Sequence, residues 1–290
     1  MKTGEFGRPG LLLAPLLLVA LAASGEVTPP LGASASSAAR SPSQSDGTTP
    51  RDPKAPVPGV SDGRGPTGPV SLKILRPTQE EEIPLPTEVA SGAQVQVSLA
   101  LENYETFFDP VTKTGQGVAI FLDGLPYFIH YEPSKLWAFR RVPPGTHTLR
   151  AVPIRPWGEP IREDDAFAMV TFRVGPKSEK NAPAPGEPIL TVFSPKPRAK
   201  YLAMEAASLK FDFLVRGCRV SDVGEAGSCR IRYRIDDRPE VILTKPESVP
   251  LSGLSVGRHG FSVGLTRDGK LIPGAFTLVQ VAFEVTGTVR

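Results

Sequence analysis

Val142-Pro143-Pro144-Gly145-Thr146-His147-Thr148-Leu149-Arg150-Ala151-Val152 reads as a tight turn that runs straight into a β-strand. The Pro-Pro-Gly-Thr corner reverses the chain, because proline presets its own φ and Gly145 can take a positive φ with no Cβ to clash. The Gly-x-His step at 145–147 returns as Gly257-Arg258-His259, and matching outward from these two anchors shows a doubled chain. Upstream, Leu122-Asp123-Gly124-Leu125-Pro126 aligns with Ile235-Asp236-Asp237-Arg238-Pro239, and Val95–Leu101 with Leu209–Val215. At the start of each copy Lys73-Ile74-Leu75-Arg76-Pro77 aligns with Thr191-Val192-Phe193-Ser194-Pro195. Downstream, Gly158-Glu159-Pro160-Ile161 aligns with Gly269-Lys270-Leu271-Ile272, then Ala166-Phe167 and Phe172 with Ala275-Phe276 and Phe283. The intervals agree as well: Asp123 to Gly145 spans 22 residues and Asp236 to Gly257 spans 21, while Gly158 to Phe172 and Gly269 to Phe283 both span 14. The copies are placed at 71–175 and 188–286, joined by a Pro/Lys/Gly-rich linker at 176–187.

Each copy is about 100 residues of short β-branched and aromatic runs punctuated by Pro and Gly, the pattern of strands and turns. In the first copy strands are expected at 71–76, 94–102, 117–123, 126–131, 136–141, 146–154 and 166–174. Runs that alternate apolar and polar residues bury one face and wet the other, so two sheets must close on each other. Seven strands in about 100 residues fit an immunoglobulin-like sandwich, and the fold class expected is all-β, with two such sandwiches in tandem. The 142–152 run resembles the penultimate strand of bacterial immunoglobulin-like and fibronectin type III-like extracellular modules. With 121–137 and 150–172 it is similar to exported bacterial proteins built from tandem β-sandwich modules. That resemblance covers roughly 70–286; it implies fold and compartment and brings no activity or active-site residues with it.

Ahead of the copies, Lys2 and Arg8 precede the apolar run Leu11–Ala23, which ends in small residues. A charged start, a short apolar core and an Ala-x-Ala pattern at 20–22 make residues 1–25 a secretory signal peptide, with cleavage expected between Ala22 and Gly25. The run is interrupted by Pro15 and falls short of the roughly 20 residues that span a bilayer, so a membrane tether follows only if the signal stays uncleaved. Residues 26–70 hold nine Pro, six Gly and seven Ser and no Phe, Tyr, Trp or Ile. Such a segment cannot bury enough apolar surface to offset the entropy of ordering it, and it is expected to be a disordered spacer. The protein is therefore expected outside the cytosol, in the periplasm or beyond the cell.

The whole chain has 290 residues, with 32 Pro and 28 Gly, an excess that disfavours a helix bundle. Lys and Arg number 33 against 30 Asp and Glu and are scattered, so no nucleic-acid footprint is visible. There is no free Cys beside a His and no phosphate-cradling glycine loop. The clusters Glu80-Glu81-Glu82 and Asp164-Asp165 read as solvated turns, and no catalytic residue, metal ligand or cofactor is assigned.

Cys218 and Cys229 flank a Gly-containing loop of the second copy and are expected to form a disulfide, since an exported chain with two Cys most simply pairs them. His147 and His259 occupy equivalent places after a turn glycine, which predicts a shared structural task such as bonding a backbone carbonyl. The segment Tyr127–Phe139 holds five aromatics, where the second copy has none. Tyr127, Tyr131 and Trp137, with Trp157, could form an exposed binding platform, because aromatic surfaces anchor proteins or stack on sugars; core packing is the plainer alternative. The function expected is a non-catalytic binding or structural module of the cell envelope. Its partner is an envelope or extracellular protein, met at free strand edges. A carbohydrate-binding accessory module using the first copy's aromatics is the alternative, and a sandwich hydrolase a third class.

Overall fold

Neighbouring residues of a strand point to opposite sides of their sheet, so the alternation in the sequence decides what each layer buries. The computed structural model describes residues 65–86, 92–124, 126–222, 225 and 227–287, all within one compact unit, Pro53–Arg290. The expected signal peptide and residues 26–64 of the expected spacer lie outside the described residues. Residues 65–70, the end of that spacer, pack on the first copy. Val70 is fully buried, its N–H donates to Glu163 Oε2 at 2.7 Å, and Thr67 N–H donates to the Asn103 carbonyl.

The first copy contains β1 (Ser71–Arg76), β2 (Glu82–Ile83), β3 (Ala93–Glu102), β4 (Phe107–Asp109), β5 (Thr114–Leu122), β6 (Phe128–His130), β7 (Trp137–Val142), β8 (Gly145–Ile154) and β9 (Ala168–Val174). One sheet has the order β1-β3-β7; the other runs β2-β9-β8-β5-β4, with β6 also on β5. The second copy contains β10 (Ile189–Ser194), β11 (Lys200–Leu202), a helical turn α1 (Ala203–Ala206), β12 (Lys210–Arg216), β13 (Arg219–Val220), β14 (Ser228–Ile235), β15 (Val241–Leu243), β16 (Val249–Pro250), β17 (Gly257–Arg267), β18 (Lys270–Leu271) and β19 (Leu278–Thr286). Its sheets are β10-β12-β16 and β11-β19-β17-β14-β13, with β15 on β14 and β18 on β17.

The two plans match as tandem immunoglobulin-like sandwiches, except that the place of β18 is taken in the first copy by a single bridge between Ile154 and Pro160. His147 lies opposite Phe172 and His259 opposite Phe283, as the sequence alignment of the copies requires. In both copies the first strand irregularly meets its neighbour just before a cis proline, Pro77 or Pro195, and the chain then crosses to the other sheet. There it forms a short strand parallel to the last one, β2 on β9 and β11 on β19. These two crossover strands, and β4, are too short to carry a periodic signal and were not expected from the sequence. One pairing differs: β4 runs antiparallel to β5, whereas β13 runs parallel to β14.

Each sandwich closes on its own core. Val95, Val97, Ile120, Leu149 and Phe172 fill the first, and Phe211, Ile231, Phe261, Val263 and Phe283 the second. A third apolar cluster lies between the copies and joins Ala119, Phe121, Val152 and Ile154 of the first to Phe193 and Leu214 of the second. The connecting stretch 176–187 is strapped down as well. Ser178 and Thr146 exchange backbone-to-hydroxyl hydrogen bonds, Thr148 donates to the Asn181 carbonyl, and Glu187 accepts from the Ala275 N–H.

Candidate functional site

The repeated aspartate and histidine of the two copies form the same device twice. Asp123 and Asp236 close the turn after the central strand with φ of 55° and 50°, a left-handed conformation that Asp tolerates because its short polar side chain bonds locally. Asp123 Oδ2 meets His147 Nδ1 at 2.7 Å, and its Oδ1 accepts the Thr148 N–H at 2.8 Å. Asp236 repeats this with His259 at 2.7 Å and the Gly260 N–H at 2.8 Å. The far ring nitrogens lie 2.8 Å from the Pro143 and Ser255 carbonyls, which is the backbone contact expected of these histidines. Each ring also lies over a core phenylalanine, Phe172 or Phe283. Burial pulls both histidine pKa values down, but the aspartate hydrogen bond, the carbonyl and the aspartate charge outweigh it, so both are raised. With both nitrogens engaged, each histidine fixes the turn between two strands and has no ring nitrogen left for a ligand.

The junction between the copies is built around Arg150, a residue the sequence reading did not single out. It is 4% exposed. One guanidinium nitrogen donates to the Asp123 carbonyl at 2.7 Å; the other reaches Thr191 Oγ1 at 2.9 Å and the Leu190 carbonyl at 3.2 Å across the junction. The plane lies between the rings of Phe121 and Phe276, 5.3 and 4.4 Å from their centroids. Burial pushes its pKa down to about 10, against the pull of Asp123, so it stays charged at neutral pH. Arg162 donates to the Phe213 carbonyl at 2.9 Å, and Arg216 donates back to the Glu163 carbonyl at 2.8 Å, closing the junction's rim. A signal for this site is present in the sequence. The run Gly117–Leu122 is apolar at every position, and a strand apolar on both sides is covered on both sides.

The four residues expected to form an aromatic platform go to separate places, and no ring contact joins any two of them among the described residues. Tyr127 packs against Phe121 and Phe193 in the junction, with Lys196 4.8 Å above its ring. Tyr131 lies on Phe108 at 4.9 Å, and Trp137 packs edge-to-face with Phe128 and Phe139 where β6 and β7 bring the two sheets together. Trp157 is 45% exposed on a turn, with Arg155 over its ring and Nε1 donating to Glu159 at 2.8 Å. A shared flat platform is therefore not formed. The reason is that β6 and β7 belong to different sheets, so rings only a few residues apart in sequence turn to different neighbours.

Cys218 and Cys229 are disulfide-bonded, with Cα atoms 5.9 Å apart, and tie β13 to β14 at the edge of the second sandwich. A cavity of about 400 Å³ lies under the connecting stretch, between Lys177, Pro183 and Glu187 and the outward side chains Met169, Thr171 and Arg173 of β9. The carboxylate clusters are held in local contacts: Glu81 bonds Thr78, Glu82 pairs with Arg173 at 2.8 Å, and Asp164 lies 3.7 Å from Arg216.

No protein-family model matches the chain, and no curated protein matches it. Solved structures do. Fibronectin(III)-like modules of Clostridium thermocellum CbhA are 14% identical, cover 74% of this chain and 94% of that one, and give a TM-score of 0.24. The PKD domain of human KIAA0319 is 14% identical over 41% of this chain and 97% of that one, with a TM-score of 0.22. A Bacteroides ovatus SGBP-B, solved with a mixed-linkage heptasaccharide, is 12% identical over 75% and 71%, with a TM-score of 0.21. The assignment to tandem immunoglobulin-like sandwiches rests on the chain's own strand order and registers.

Proposed function

We propose that this chain is a non-catalytic, exported module of the cell envelope, periplasmic or extracellular, whose two sandwiches act as one rigid body that engages a protein partner. The observation that carries the reading is the junction. Arg150 and the apolar cluster around it hold the copies in one orientation, and a fixed orientation lets a surface be presented without the entropic cost of ordering two modules at each encounter. The disulfide supports export, because such bonds persist in oxidising compartments. The polar groups most suited to chemistry, the two Asp–His pairs, are committed to holding turns.

Photo-crosslinking of the full chain in its native envelope tests the reading. One reproducible protein adduct, recovered from the envelope fraction, is expected, together with Cys218 and Cys229 unreactive to alkylation. A chain recovered from the cytosol with both thiols reactive would end it. A second reading, carbohydrate binding, rests on the exposed indole of Trp157. It requires hits on a glycan array that disappear with Trp157→Ala.

A further inference from the structure

The face that binds the two copies together exists twice, and only one instance is occupied. In the first copy the outward face of the large sheet carries Ile129 on β6, Ala119 on β5, Val152 on β8 and, just before β9, Phe167. All four pack in the cluster between the sandwiches. Strand register gives the equivalent row of the second copy as Ile242 on β15, Arg232 on β14, Gly264 on β17 and Leu278 on β19. The next row, Phe121, Arg150 and Met169, becomes Arg234, Ser262 and Gln280. Leu271 of β18 and Leu278 close over Gly264, which is buried, but much of the rest of these rows is open: Ile242 is 56% and Leu278 46% exposed, and Arg234 and Gln280 are exposed.

We propose that this face of β15, β14, β17 and β19 is the module's docking surface, and that it takes a protein segment presenting carboxylates between aliphatic side chains. Arg230, Arg232 and Arg234 occupy alternate positions of β14 and so share one side of the sheet, repeating at about 6.8 Å. An extended acidic segment places its alternate side chains at the same repeat. Arg232 lies 3.7 Å from Glu240, and Arg234 pairs with no carboxylate among the described residues, so the row keeps positive charge to offer. Ile242 is the neighbour of Arg232 on β15, and Leu278 stands on its other side across Gly264. Arginine framed by aliphatic groups suits a protein interface, where arginine is enriched in the buried part, better than it suits a sugar polymer, which would use aromatic faces. A second copy of this chain is a poor occupant. The surface of β10 and β12 that fills the face in the first copy has its counterpart on β1 and β3, where Phe193 and Leu214 become the smaller Leu75 and Ala100 and Thr191 and Ser194 become Lys73 and Arg76, cations that the arginine row repels. The inference rests on the binding-module reading and names the chemistry of the partner.

The test uses the full chain and three probes: a fluorescein-labelled octapeptide of alternating Leu and Glu, the same peptide with Lys for Glu, and an octamer of galacturonic acid. Fluorescence anisotropy is expected to show the Leu/Glu peptide binding at least tenfold tighter than the Leu/Lys peptide, and more weakly as salt rises. Arg232→Glu with Arg234→Glu should cost at least tenfold and favour the Leu/Lys peptide instead; Arg140→Glu with Arg141→Glu, on the exposed part of β7, should change little. If the reversed pair fails to fold, Arg232→Gln with Arg234→Gln carries the same expectation. Equal affinity for both peptides, binding unchanged in the reversed chain, tighter binding of the galacturonate octamer, or self-association of the chain through this face would each overturn the proposal. A reversed chain that still forms the envelope adduct would sink the face and leave the module reading standing.

Discussion

The central strand of the large sheet reads Gly-Val-Ala-Ile-Phe-Leu at 117–122 in the first copy and Arg-Ile-Arg-Tyr-Arg-Ile at 230–235 in the second. Inward residues are alike, since both strands wall a sandwich core. Outward residues are opposite, apolar where the neighbouring sandwich docks and arginine where the sheet is open. One framework thus serves as cement in one copy and as a surface in the other, with the change confined to positions that do not affect closure of the sandwich. The same division holds at Arg150 and its counterpart Ser262: a buried cation spanning the junction in one case, a small half-buried hydroxyl residue in the other.

The largest effect expected from this contrast is at Arg150. Arg150→Ala strands the Asp123 and Leu190 carbonyls and opens a void between Phe121 and Phe276, at a cost of about 3–5 kcal/mol. Ser262→Ala should stay within about 0.5 kcal/mol. Urea unfolding of both variants measures the difference, and similar costs would break the comparison. Next is the disulfide, which has no equivalent in the first copy. Replacing both Cys218 and Cys229 with Ser releases a cross-link 11 residues apart in sequence and should cost about 3 kcal/mol. Hydrogen exchange should rise on β14 well before it rises on β5; equal rises would mean that the junction spreads the loss over both copies.

Smaller effects come from the repeated Asp–His pairs, where the copies are alike but unequally buried. The Asp123 side chain is 12% exposed and that of Asp236 34%. Asp123→Ala should therefore cost about 2 kcal/mol and Asp236→Ala about 1 kcal/mol, because the first strands its partners farther from water. A larger loss at Asp236 would invert that ranking. The pH dependence is expected to be smallest. Both histidines have folded-state pKa values raised above 6.5. Their contribution is complete below that unfolded value and is lost as pH rises through the folded ones. Asp236, lowered in the folded state, contributes above its unfolded pKa and loses that contribution in acid. Urea midpoints should thus fall gently from pH 6 to 8.5, and a double His147→Asn, His259→Asn chain should lack that slope.

Much of the molecule was legible in the amino-acid order. Turn glycines, alternating strands and repeated intervals are local properties, and they identify the duplication, the all-β class and the loop that the disulfide closes. The shared placement of the histidines even implied their contact with backbone carbonyls, though not the aspartates that hold them, since Asp–His pairing links residues 24 and 23 apart. What tertiary structure alone decided is which surfaces are occupied. Tyr127 and Trp137 look alike in sequence, yet one fills the junction and the other a sandwich edge. Arg150 is one more scattered basic residue until two sandwiches close around it. Alternation tells a strand which of its sides is apolar, but the identity of the neighbour on each side depends on how separate sheets come together, and that is settled by packing between residues far apart in the chain.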